Sequence, residues 1–224
     1  GSYVSIKWTD KREIIVRGDV QITGEVYIDG VSFIAAGEIK LLDKTELINS
    51  SLYSQTRIFM GDYCKFEGDA LAKSSIAIYG NAVVKRKSTL VTSGKSSSTT
   101  ADTLHYSIFL GDQANIDGVC MALSNHGGIK TDLQVVISGI LWAHGTVCHR
   151  GKMQGLIIAS QVIDCDASAP ALTTTTPTDS SGAVVLNHKN TLPGKLSSLS
   201  TISEYRIPYY SGTPSIIDWK EDGF

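Results

Sequence analysis

Small residues recur at every sixth position near the start of the chain: Gly18, Gly24 and Gly30, with Ala36 continuing the series. Two apolar registers keep the same step: Ile14, Val20 and Val26 in one, Val16, Ile22, Ile28 and Ile34 in the other. Within one unit, Gly18-Asp19-Val20-Gln21-Ile22-Thr23-Gly24, the two apolar residues stand two apart and share one face of an extended strand. Asp19, Gln21 and Thr23 face the other way. Glycine at the unit boundary suits a tight corner, because it reaches backbone angles that branched residues resist.

The rhythm continues with slippage through Phe59-Met60-Gly61, Cys64-Lys65-Phe66-Glu67-Gly68, Ile76-Ala77-Ile78-Tyr79-Gly80 and Ala82-Val83-Val84. Helical periodicity is hard to find anywhere, and Val, Ile, Thr and Tyr alternate in short runs instead. A β-sandwich would want longer strands with turn clusters about every 8 to 12 residues. The expected fold is therefore all-β: a single-stranded β-solenoid, or β-helix, with hexad-like repeats. Three six-residue sides make a coil of about 18 residues, and coils stack about 4.8 Å apart. Val20, Ile22, Val26, Ile28, Ile76, Ile78, Leu141 and Val147 are the expected inward repeat positions.

Two Ser/Thr-rich stretches, residues 92–105 and 166–182, lack apolar periodicity and read as protruding loops, places where a rigid rod could present a binding surface. The expected organisation is an N-terminal strand or cap over 1–12 and a solenoid over 13–165, with a loop insertion at 92–105. A polar loop and return segment follow over 166–198, then a C-terminal cap over 199–224. A terminal coil has exposed edges and an open core, which the aromatic and aliphatic residues concentrated near the end, Tyr205, Ile207, Tyr209 and Trp219, are suited to cover.

Composition narrows the function classes. With 42% hydrophobic residues over 224 positions the chain buries a substantial core, and a net charge of -2 gives no bulk attraction to nucleic acid or to an anionic membrane. Lys85-Arg86-Lys87 is the single positive cluster and reads as a solvated edge, so no nucleic-acid partner is expected. No run approaches the roughly 18 apolar residues of a membrane helix. Gly1-Ser2 reads as a cloning scar, so any native signal or anchor is expected upstream of Tyr3.

Residues 139–151, G-I-L-W-A-H-G-T-V-C-H-R-G, pose a choice between chemistry and architecture. His144, Cys148 and His149 stand within six residues, as zinc ligands or a Cys-His nucleophile pair would. Gly139, Gly145 and Gly151 keep the six-residue step. Laying Gly145–Gly151 on Gly18–Gly24 puts Val147 on Val20, His149 on Ile22 and Cys148 on outward Gln21. Cys148 and His149 then face opposite sides of one strand, poorly placed to share a metal or a proton. Neither C-x-x-C nor H-E-x-x-H occurs, and His126 reads as a turn residue. No catalytic residue, metal site or cofactor is expected.

Cys64 and Cys120 fall on inward positions as small buried hydrophobes. Cys148 is outward, and Cys165 follows 17 positions later, close to one coil. Stacked neighbours lie within disulfide reach, so a Cys148–Cys165 bridge between adjacent coils is expected, implying an oxidising compartment.

The run Ile137-Ser138-Gly139-Ile140-Leu141-Trp142-Ala143, then Gly145-x-Val147, Gly155-Leu156-Ile157-Ile158-Ala159 and Val162, resembles the solenoid domains of type IV pilus minor pilins of the PilX-like kind. The closing Ile217-Asp218-Trp219-Lys220-Glu221 is similar to their Trp-x-Glu ending. The resemblance implies a native N-terminal membrane-anchoring helix and protein partners in a pilus or envelope assembly. The expected function is a non-catalytic structural or adhesive component at the bacterial cell surface. A bactofilin-like cytoskeletal solenoid, cytoplasmic and self-associating through its ends, is the alternative. A hexapeptide-type transferase is a third reading.

Overall fold

The computed structural model describes residues 4–94, 106–124, 127–163 and 184–187, with side chains described over 12–94, 106–124 and 127–163. All belong to the first of two units into which the chain divides, Gly1–Asn190. The expected cap residues Tyr205, Ile207, Tyr209 and Trp219 lie outside the described residues.

The described residues contain strands and turns and no helix. In chain order the strands are β1 (Val4–Val16), β2 (Val20–Ile22), β3 (Val26–Ala35), β4 (Ile39–Leu41), β5 (Glu46–Ser54), β6 (Arg57–Met60), β7 (Lys65–Ala72) and β8 (Ser75–Ile78). They continue with β9 (Val83–Thr92), β10 (Tyr106–Leu110), β11 (Asn115–Ala122), β12 (Gly128–Thr131), β13 (Val136–Cys148), β14 (Lys152–Ile163) and β15 (Val184–Asn187). Odd strands from β1 to β13, then β14 and β15, stack in one parallel ladder, while β2, β4, β6, β8, β10, β12 and the end of β13 stack in another. The protein is a parallel β-solenoid.

Val20 lies beside Ile39, Ile39 beside Ile58 and Ile58 beside Ile76, so a regular coil is 18 or 19 residues, as three short sides require. The long strand supplies two sides by bending midway, and the short strand supplies the third. The bends carry positive φ at Gly30 (75°), Asn49 (50°), Lys87 (71°) and Gly139 (147°). Each bend shifts the in-out alternation. Val31, Phe33 and Ala35 are buried and Ile34 is only half-buried, correcting the inward position expected for Ile34.

Six-residue spacing becomes vertical columns because each coil sits in register on the last. One runs Val20, Ile39, Ile58, Ile76, Ile108, Ile129, Val147 and Val162; another runs Ile28, Leu47, Phe66, Val84, Ile116, Ile137 and Met153. Ile28, Ile76, Ile78, Leu141 and Val147 are buried, and Val20, Ile22 and Val26 pack against the core half-buried, in the first coil. Each fully buried aliphatic side chain contributes about 1.5–3 kcal/mol before ordering costs. Where the long strand turns into the short one the column narrows to Ala35, Ser54, Ala72, Thr92, Ala122, Ala143 and Ala159. The hydroxyls in this region are satisfied locally: Ser54 Oγ donates to the Gly37 carbonyl (2.7 Å), and Thr92 Oγ1 bonds Ser107 Oγ (2.7 Å).

The coil lengthens where the loop was expected. Val83 stacks on Asn115, a step of 32, and residues 95–105 in between lie outside the described residues. Residues 166–182 likewise lie outside them. Pairing with β3 begins at Val4, within the expected N-terminal strand, and slips between Lys7 and Arg12. Outward charges pair across coils: Glu46 meets Lys85 at 2.6 Å and Lys65 at 3.6 Å. Burial opposes ionisation of Glu46, but the two ammonium groups outweigh it and hold its carboxyl below the usual range. Such surface pairs contribute at most about 1 kcal/mol each.

Candidate interaction surfaces

Segment 139–151 folds as one bend, one side and one corner. Gly139 sits at the bend of β13 in register with Gly118 behind it and Gly155 ahead. A Cβ on Gly139 would stand 1.9 Å from the Gly118 carbonyl oxygen, and one on Gly155 the same distance from that of Gly139. Backbone touches backbone along this column, so glycine there is a packing requirement. Leu141 and Ala143 point into the core, while Trp142 and His144 stand half-buried on the outer side, ring edge to ring face at 6.4 Å.

Val147 occupies the Val20 column, as expected from the overlay. Cys148 follows Lys130 in the outer column that begins at Gln21, yet it is only 3% exposed; outward register did not mean solvent exposure. His149 is buried beside Thr131, with Nδ1 2.8 Å from Oγ1. The same Oγ1 accepts the Arg150 backbone N–H at 3.1 Å. The apolar column Ile22, Leu41, Met60, Ile78, Leu110 thus ends in a threonine that gives a buried imidazole a partner. Among the described residues no three of His, Cys, Asp or Glu converge as metal ligands.

Cys64 and Cys120 are free thiols in the core. Burial pushes Cys64 up to about 11 and Cys120 up to about 12, which makes both poor nucleophiles. Cys148 stacks on Ile163, because the coil there is shorter than the 17-residue step to Cys165. Cys165 itself, with His105, His126 and His188, lies outside the described residues. In the basic run, Lys85 is committed to Glu46 and Lys87 sits at a bend.

Two surfaces stand out on the described coils, and only the second has no counterpart in the repeat pattern. The first coil is open: among the described residues β1 pairs only with β3 and β2 only with β4. On β1, Ile14 faces inward beside Phe33 yet is 41% exposed, and outward Ile15 is 64% exposed. The six-residue register gave Ile14 its direction but not the missing neighbour above it. The other surface is a groove at the corner between β12 and β14, where the coil shortens; no hexad pattern signals a shortened coil.

Compared with protein-family models, with curated proteins and with solved structures, the chain shows no significant match, and its solenoid architecture and surfaces are the ground for any functional reading.

Proposed function

We propose that the chain is a non-catalytic structural rod of a bacterial surface or pilus assembly, joined to its neighbour through its first coil. One observation supports this reading above others: the edges of β1 and β2 that no described strand covers, beside Ile14 and Ile15, with Val20, Ile22 and Val26 only half-buried beneath. A strand edge offers a row of unmet N–H and C=O groups, and a solenoid end offers an uncovered core; both favour another strand on top. The same observation supports the bactofilin-like alternative, in which the neighbour is a second copy. Pairing along β1 would extend each inner column into the next chain.

The Cys148–Cys165 bridge belongs to the surface-assembly reading. Cys64 and Cys120 are free and buried, and Cys148 stacks on Ile163, two positions before Cys165. Peptide mapping without reductant is expected to recover residues 148 and 165 in one linked fragment. Two alkylated cysteines instead would remove the staple and the oxidising compartment with it.

Sedimentation velocity over a range of concentrations tests the joining surface. The full chain is expected to form larger species, and Ile15→Lys, which places a charge on the exposed edge strand, to lose them while keeping its β circular dichroism. Open-ended polymers would favour the self-assembling reading, and a closed species the surface-assembly one. An association unchanged by Ile15→Lys contradicts both.

A further inference from the structure

The corner after the short strand is built from fewer residues in the last described full coil. Val136 lies beside Asn115 one coil back, a step of 21, and beside Lys152 one coil on, a step of 16. The loss is taken at the corner, where the turn around Asp132-Leu133-Gln134-Val135 gives way to Arg150-Gly151. Gly151 fits there because a Cβ would stand 2.3 Å from the Val135 carbonyl oxygen. The later corner is drawn inward, and a groove of about 700 Å³ opens beside it.

Leu133 and Val136, 64% and 41% exposed, line this groove with the exposed polar side chains of Lys152 and Gln154. Its walls include two cations, Arg150 and Lys152, and no carboxylate. Arg150 has interactions of its own. The charge assignment therefore falls on Lys152, which forms no ion pair among the described residues.

We propose that this groove binds an acidic peptide segment of a partner protein. Aliphatic side chains of the segment cover Leu133 and Val136, and a carboxylate pairs with Lys152. The amide of Gln154 and the hydroxyl of Ser138, also at the groove, both donate and accept, as backbone peptide groups require and a plain aliphatic anion does not. The volume lies in the range of clefts that enclose a few side chains. The site is formed by β13, β14 and the turn before them, so it stands apart from the first-coil reading and does not depend on it.

Fluorescence anisotropy with the full chain and a labelled peptide alternating glutamate and leucine tests this, with the lysine-leucine counterpart as control. Saturable, salt-sensitive binding of the acidic peptide alone is expected. Lys152→Glu and Leu133→Asn, both exposed substitutions, are each expected to weaken it by about tenfold or more, a change of about 1.4 kcal/mol. Lys73→Glu, on an exposed lysine outside the groove, is expected to leave it unchanged. Absence of binding, equal binding of both peptides, indifference to Lys152→Glu, or binding of dodecanoate in place of the peptide would each overturn the proposal.

Discussion

At Gly139 the difference between hydrogen and methyl decides whether two coils can close on each other. Gly139→Ala would force a Cβ to 1.9 Å from the Gly118 oxygen at a φ of 147°, and the expected cost is about 2 kcal/mol or more. Gly18 has nothing within 4 Å of a built Cβ, so Gly18→Ala is expected to stay within about 0.5 kcal/mol of wild type. Urea unfolding of the two variants side by side checks the contrast. Equal losses would mean that the column is not packed as described. The buried thiols give a second prediction at this scale. Burial raises Cys64 to about 11 and Cys120 to about 12 from an ordinary value of 9.0. Folded thiols thus hold their protons more tightly than unfolded ones, a stabilisation complete below about pH 9 and lost as pH climbs toward the folded values. Tyr79 and Tyr106, also raised by burial, act in the same direction. The urea midpoint is therefore expected to fall above pH 9, and to fall less in the Cys64→Ala/Cys120→Ala double variant.

Between residues and molecule stands the coil, whose hydroxyl pairs mark where apolar stacking gives way. Thr92 and Ser107 share a buried hydrogen bond of 2.7 Å. Thr92→Val leaves Ser107 without that partner and is expected to cost about 1–3 kcal/mol in urea unfolding. Thr92→Val with Ser107→Ala, which removes both groups, is expected to recover part of the loss. How much of a coil was legible in advance depended on parity. Alternation within a strand and a six-residue step predicted the inward columns of Val20, Ile28, Ile76 and Val147 correctly. They also assigned His149 to the core and Cys148 to the opposite face. The same ruler misplaced Ile34, because the bend at Gly30 lies inside a continuous strand and reverses which neighbours face in. Outward register left exposure open: Cys148 faces away from Val147 and is still buried. The ruler also assumed a constant coil length, so it missed the groove that the shortened corner opens beside Leu133. These depend on how each coil sits against the next, and no single window of sequence contains that comparison.

At the scale of the molecule, the described coils stack in parallel with interior strands paired on both sides, and the first coil paired on one side only among the described residues. Ile14 and Ile15 mark that end: inward Ile14 stays 41% exposed where Phe33 beneath it is buried. On the proposed function, the first coil is where this solenoid meets its assembly. A photo-activatable cross-linker at position 15, compared in the producing cells with one at Tyr63, an exposed turn position away from the end, tests it directly. Adducts are expected at position 15 and absent at 63. Adducts at 63 with none at 15 would contradict the account.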